Sequence, residues 1–193
     1  MAQTSTTLSG EKSHMPTDIT GTDISISTSG TISSTGTALT GSGRLAVRDI
    51  VTITGTTNNN STFTVKEVIS ETEFTVEETI TTGDDADGSS TFTLDMTGFV
   101  TVKAKGDGYY SQPDGVHTVA YQVNATMTGS IKMQGSLATT PTEDDYFDIA
   151  GTTFTADQST LISTANFTGN FVWIRAKATS VTAGTISSVL TNS

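Results

Sequence analysis

The sequence predicts an all-β protein built of two small antiparallel β-sandwich or barrel modules with an extended N-terminal arm. Threonine supplies 42 of the 193 residues, and its stiff β-branched side chain favours strands. Glycine occurs 18 times and proline only three times, which is typical of short strands joined by tight turns. Hydrophobic residues make up 34% of the chain and recur in short bursts with period two, so we expect thin cores enclosed by sheets.

The arm and the first module occupy the first half of the chain. Residues 1–17 are polar and show neither period two nor period 3.6, so we interpret them as an arm that is either flexible or docked on a neighbour. Residues 18–97 form the first predicted module. A short unit with Phe followed by Thr and then Val or Leu recurs at 62–65, 73–76 and 91–94, which places the apolar side chains on one face of each strand.

The second module, residues 98–193, is predicted to be a jelly-roll-like β-sandwich. Residues 1–97 hold 13 acidic and four basic residues, whereas residues 98–193 hold seven and five, so the charge balance changes at the junction. Five strands and two shorter ones, at 146–149 and 152–155, give about seven, a common number for a sandwich. Residues 159–166 are open to interpretation as a helical turn. The five longer strands are expected at 99–104, 117–123, 130–134, 171–176 and 184–190.

Charge and composition exclude several kinds of partner. The net charge of −11 and the absence of any Lys/Arg cluster argue against nucleic-acid binding, which requires grouped cations. The chain has no cysteine, so disulfides and thiolate metal sites are excluded. The N-terminus lacks the features of a signal peptide and no run approaches the roughly 18 apolar residues of a membrane helix. We therefore expect no nucleic acid and no membrane as partner.

Catalytic motifs are missing from the sequence. The two histidines, His14 and His117, lie far apart and have no neighbouring nucleophile or ligand pattern. No nucleophile elbow, phosphate-binding loop or zinc-binding HExxH motif is present. The sequence therefore predicts a protein that is not an enzyme and carries no cofactor.

Carboxylates cluster in two places, and oxygen ligands grouped on a loop can hold Ca²⁺. The first cluster, at residues 84–87, departs from the EF-hand pattern. In a loop counted from Asp85, Ser90 and Met96 occupy the positions that require Gly and Glu. We therefore assign no metal site and keep both clusters as weak calcium candidates. An enzymatic alternative is that two carboxylates among residues 143–148 form a glycosidase pair. The candidates are Asp84, Asp85 and Asp87, and Glu143, Asp144 and Asp145 with nearby Asp148.

Two adjacent tyrosines mark a candidate binding surface. Tyr109 and Tyr110 lie in a loop, where two neighbouring aromatic rings cannot both be buried by two-residue alternation. An exposed tyrosine is equally suited to contact a glycan or to pack in a protein interface, so both interpretations stay open.

Several motifs resemble known modules. The second half resembles a β-sandwich module of virion structural proteins in tailed bacteriophages, notably those that infect marine cyanobacteria; the matching stretches are GSIKMQGSL (129–137), DYFD (145–148), FTGNFVWIRAK (167–177) and TAGTIS (182–187). The first half resembles small β modules of phage head and tail proteins, through ITG (53–55), NNN (58–60) and FTV at 63–65 and 74–76.

This resemblance implies a non-enzymatic virion structural protein that decorates the capsid or belongs to the neck, tail or baseplate. Its partners would then be other virion proteins of the capsid or tail. Homo-oligomerisation, as a trimer for instance, is a hypothesis that fits open strand edges completed by neighbouring subunits. The alternative function is a carbohydrate-binding or adhesin module that attaches to a host surface glycan.

Overall fold

The computed structural model describes residues 5–14, 18–40, 45–110 and 115–192, and it is built almost entirely of strands. Strands dominate the described residues, which contain no α-helix, so the predicted all-β fold class is confirmed. No helix in the described residues has the length and hydropathy needed to cross a membrane. The described part of the chain also contains 3₁₀ turns at Asp107–Tyr110 and Glu143–Asp145.

The strands are β1 Ser5–Ser9, β2 Lys12–Ser13, β3 Ile19–Gly21, β4 Ile24–Ile26, β5 Thr31–Ser34, β6 Asp49–Thr54, β7 Ser61–Ser70, β8 Glu73–Val76, β9 Phe92–Val100, β10 Ala104–Lys105, β11 Val116–Val123, β12 Thr128–Ser136, β13 Phe147–Asp148, β14 Phe154–Asp157, β15 Ile162–Thr168, β16 Trp173–Ala183 and β17 Thr185–Asn192.

The chain divides into two compact units. The central unit runs from Met15 to Phe99, and the sandwich unit combines the residues up to His14 with those from Val100 onward. The contact boundary therefore lies two residues beyond the junction expected after residue 97. It also assigns the first part of the predicted arm to the sandwich unit.

The central unit is a curled antiparallel sheet with the order β3-β9-β6-β7-β8-β5-β4. The ten-residue β7 pairs with β6 through its first half and with β8 through its second half, and two register shifts against β8 bend it. The bend lets the sheet wrap around one apolar cluster. The apolar residues of the three repeated units all lie in this cluster, as their alternation predicts: Phe63, Val65, Phe74, Val76, Phe92 and Leu94.

The sandwich unit consists of two facing sheets. One has the order β1-β17-β11-β15, with β2 also on β17; in the other, β12 and β16 are central, β13 and β14 pair with β12, and β10 pairs with β16. Tyr121 of β11 connects the two layers: its ring stacks on Phe154 of β14 with centroids 6.2 Å apart, and its hydroxyl donates to the Thr152 carbonyl at 2.8 Å. Burial raises the pKa of Tyr121, so this hydroxyl remains a donor.

Residues 5–13 belong to the sandwich unit, so the interpretation of this segment as an arm that stands apart from the fold is corrected. β1 and β2 both pair antiparallel with β17, the last strand of the same chain, and Leu8 is buried. The physical reason is that β17 has an edge that needs a hydrogen-bonding partner, and the N-terminal segment supplies it. The remaining part of the predicted arm, residues 1–4 and 15–17, lies outside the described residues.

Two local expectations are also corrected. Residues 162–168 form strand β15, so the helical turn considered for 159–166 is wrong. The strand expected at 99–104 is interrupted, because β9 ends at Val100 and β10 begins at Ala104.

Candidate functional surfaces

The first carboxylate cluster organises loops of the central unit. Asp84 is buried, and its carboxylate accepts hydrogen bonds at 3.0 Å from the backbone N–H groups of Thr57 and Asn58. The side-chain amides of Asn58 and Asn59 donate to the same carboxylate. Because these donors surround both oxygens, Asp84 holds the asparagine loop against the segment that follows Ile80.

The other two members of this cluster point to different partners. Asp87 accepts bonds from the Ser90 hydroxyl at 2.7 Å and from the backbone N–H groups of Ser90 and Ser89. These hydrogen bonds hold the pKa of Asp87 well below its usual range. Asp85 is exposed. The structure therefore does not direct the three carboxylates toward a common point.

In the second cluster, Glu143 forms an ion pair with Arg175 of β16. The two guanidinium nitrogens donate to the two Glu143 oxygens at 2.6 and 2.7 Å. The Arg175 side chain is only 5% exposed, its Nε donates to Gln134 Oε1 at 3.0 Å, and its Cζ lies 3.6 Å from the centroid of the Tyr146 ring. A bidentate pair with two further contacts is a structural arrangement, and it occupies the carboxylate of Glu143.

Two of the neighbouring acids, Asp145 and Asp148, are also engaged in hydrogen bonds. Asp145 accepts from the backbone N–H and the hydroxyl of Thr142, and these bonds lower the pKa of Asp145. Burial opposes the ionisation of Asp148, but hydrogen bonds from Lys132 and Gln134 outweigh it and lower the pKa of Asp148. Asp144 is exposed. Nowhere in the described ranges are three His, Asp or Glu side chains grouped so that they could hold a metal ion.

An aromatic–lysine cluster, formed by Lys103, Lys105, Tyr109, Tyr110 and Trp173, lies on the surface of the sandwich unit. The Tyr109 ring packs edge to face on both Tyr110 and Trp173, with centroids 5.2 Å apart in each case. Tyr109 and Tyr110 are 41% and 57% exposed, so both tyrosines of the predicted binding surface reach solvent.

Two lysines complete this cluster. Lys105 Nζ lies 3.9 Å from the Tyr109 ring centroid, and Lys103 Nζ lies 4.6 Å from that of Trp173. Within the described residues, neither lysine forms a salt bridge with a carboxylate. The cluster is therefore a locally cationic, aromatic surface on an acidic protein.

The fourth feature is the outer edge of β15, which we call the open edge. β15 pairs with β11 over seven residues without a register shift, and no other strand of the described chain pairs with it. Three exposed apolar side chains, Leu161, Ile162 and Val116, lie in or next to this strand pair. The opposite edge of the same sheet is different, because β1 and β2 cover β17.

His117 is a core residue of β11. Its side chain is fully buried and stacks on Phe167, with ring centroids 5.1 Å apart. Its Nε2 lies 3.5 Å from Asp107 Oδ2, and Asp107 also accepts the Gly115 backbone N–H at 2.6 Å. No serine, threonine or cysteine side chain hydrogen-bonds either ring nitrogen in the described residues.

Sequence reasoning missed the open edge and the Arg175 contacts. The open edge was hidden because β15 alternates weakly and contains few large apolar residues. The ion pair joins residues 32 positions apart, which no local pattern could reveal. No protein-family model matches this chain, and a search of curated proteins finds no significant match.

Proposed function

We propose that this protein is a non-enzymatic structural protein of a tailed-phage virion that decorates the capsid or forms part of the neck, tail or baseplate. It acts through protein–protein interfaces. The single observation that carries the structural role is the open edge of β15, a seven-residue strand whose outer side has no partner among the described residues. The motifs quoted from both halves of the sequence supply the phage assignment.

An exposed strand edge supports assembly for a physical reason. Its free N–H and C=O groups form a template that binds any other extended chain, so monomeric proteins usually block such edges with charges, prolines or bulges. β15 has none of these, since its sequence ISTANFT lacks Lys, Arg, Asp, Glu and Pro and its register is regular. A strand left open in this way is suited to a protein that completes its sheets with neighbouring subunits.

The carboxylates agree with a non-catalytic role. Glu143 and Asp145 are held by Arg175 and Thr142, and Asp84 is held by loop amides. A general acid or base needs access to substrate and a carboxylate free to exchange a proton. These side chains instead stabilise turns and an ion pair.

The test is to look for the chain in particles of the source phage. Virions purified by density gradient are analysed by quantitative mass spectrometry and cryo-electron microscopy. We expect a fixed copy number per particle and density that fits the two units. A chain abundant in the infected lysate but missing from purified particles would overturn the proposal.

A second candidate function, glycan binding, is favoured by the aromatic–lysine cluster. The C–H groups of a sugar ring pack on aromatic faces, and the two lysines would attract acidic sugars. A glycan array is probed with the wild-type protein and the Tyr109→Ala/Tyr110→Ala variant, with Ile69→Ala as an exposed control in the central unit. Binding that the tyrosine variant loses and the control keeps supports this candidate. Parallel arrays with and without chelator show whether calcium contributes.

A further inference from the structure

The backbone of β15 has a definite orientation. Val123 N–H donates to the Leu161 carbonyl at 2.9 Å, so the backbone polar groups of Leu161 face β11. Successive residues of a strand direct their N–H and C=O groups to opposite sides, so residues 163, 165 and 167 also face β11. The residues whose N–H and C=O groups face outward are Ile162, Thr164, Asn166 and Thr168.

This outward row is complementary to a second copy of itself. We propose that two copies of this chain pair antiparallel through their open edges, with Ala165 on the two-fold axis. Ile162 then lies opposite Thr168 of the partner subunit, and Thr164 lies opposite Asn166 of the partner subunit. All four outward residues fall in hydrogen-bonded pairs, and each pair exchanges two bonds. A shift of the register by two residues in either direction leaves an outward residue at the end of each strand without a partner.

The exposed apolar side chains fit the same register. Val116 of β11 pairs with Thr168 of β15. Val116 is 62% exposed, and Thr168 is also exposed. The two-fold axis places Ile162 of the partner subunit in the same cross-strand row, on the other side of Thr168. Ile162 is 59% exposed in the single chain. Residues paired across antiparallel strands point to the same face. The two apolar residues at opposite ends of the β11–β15 pair are therefore brought to the same end of the joined sheet.

Charge also favours a second copy at this edge. β15 contains no charged residue, so two such strands meet without repulsion. The acidity is concentrated elsewhere, because residues 98–193 hold seven acidic and five basic residues while residues 1–97 hold 13 and four. The near-neutral half of the chain thus provides the contact, and the acidic half can remain in solvent.

This inference rests on the proposed role as an assembling structural protein and names its first partner. The test uses the full chain, which has no cysteine of its own. In an antiparallel pair, directly opposed residues outside the hydrogen-bonded positions have Cα atoms about 4.5 Å apart. Ala165→Cys on the two-fold axis can therefore form an intermolecular disulfide. Ser163→Cys is the matched control, because the two copies of residue 163 would be roughly 13 Å apart along the strands.

The register is tested independently with charge. Thr164→Lys/Asn166→Lys places like charges opposite each other, and we expect sedimentation equilibrium to show dimerisation weakened at least tenfold. Thr164→Lys/Asn166→Glu places opposite charges across the same positions and should keep the dimer. Circular dichroism and Trp173 fluorescence check that each variant folds. Thr153→Lys, at an exposed position outside this sheet, controls for an added charge away from the edge.

The expected result is a reversible wild-type dimer, a disulfide-linked dimer for Ala165→Cys but not Ser163→Cys, and loss of dimer only in the double-lysine variant. A wild-type chain that stays monomeric at high concentration overturns the inference, and so does cross-linking through residue 163 rather than 165. A monomer that is still found in purified virions would overturn the dimer alone. A dimer that is missing from virions would overturn the proposed function alone.

Discussion

Removal of Glu143 gives a direct test of how the second carboxylate cluster is used. Glu143→Ala removes both acceptors of the Arg175 fork and leaves the guanidinium with Gln134 Oε1 and the Tyr146 ring. Breaking a buried ion pair by removing one partner costs about 3–5 kcal/mol. Since Glu143 itself is 23% exposed, water can partly replace it, and we expect the free energy of unfolding of the sandwich unit to fall by about 2–3 kcal/mol.

Urea unfolding followed by Trp173 fluorescence measures this change. Trp173 is the only tryptophan of the chain and lies two residues from Arg175 on β16, so its signal reports on the sandwich unit. Asp144→Ala is the matched control, because Asp144 lies in the same turn and is exposed; it should change stability by less than about 0.5 kcal/mol.

A double-mutant cycle isolates the interaction. Arg175→Met removes the charge and keeps much of the apolar stem, so Glu143→Ala/Arg175→Met should be clearly more stable than the sum of the single changes predicts. If Glu143→Ala matches Asp144→Ala within error, the ion pair contributes nothing and the reasoning is wrong. Stabilisation of the wild type, but not of Glu143→Ala, by millimolar Ca²⁺ would instead show that Glu143 is a metal ligand.

Three further predictions test other parts of the fold. Leu8→Ala should lower the stability of the sandwich unit by about 2–4 kcal/mol in the same urea assay, because the Leu8 side chain is buried where β1 pairs with β17. An unchanged unfolding midpoint would mean that the N-terminal strands are dispensable. Asp84→Asn should destabilise the central unit by about 1–3 kcal/mol and speed hydrogen exchange of the Thr57 and Asn58 backbone amides, which donate to Asp84. Asp85→Asn, at an exposed position, should change neither the stability nor the exchange rates. Hydrogen bonds from the backbone N–H groups of the following turn lower the pKa of Asp157 from 3.8 to about 2, so its stabilising contribution is complete above about pH 4 and is lost as the pH falls through 2; an NMR titration of this carboxylate with a midpoint near 4 would contradict that assignment.

The reassignment of residues 5–13 changes what a truncation means. An arm outside the fold could be deleted without affecting the rest of the protein. Because β1 and β2 pair with β17 and Leu8 is buried, deletion of these residues uncovers a strand edge and part of the core. A loss of assembly after truncation would therefore need a stability measurement beside it before it could be attributed to a lost docking element.

Much of the strand content could be predicted because period two is a local signal. In 62–65, 73–76 and 91–94 the alternation of Phe and Val or Leu with Thr identified the buried face of each strand, and all six apolar residues are in the core. The weak alternation of ISTANFT gave no such signal, because an edge strand buries only Phe167 fully on its inner face. For the same reason the sequence left residues 159–166, which include most of this strand, open to interpretation as a helical turn.

The sequence by itself determined the fold class, the absence of cysteine chemistry and the unequal charge of the two halves, since these depend on composition and on alternation between near neighbours. Only the tertiary structure decided which strands pair, that the N-terminal residues complete β17, that Glu143 lies against Arg175 and that β15 keeps an open edge. Pairing between strands depends on contacts between distant positions. Alternation shows which face a strand buries, but it does not show which neighbour lies beside it.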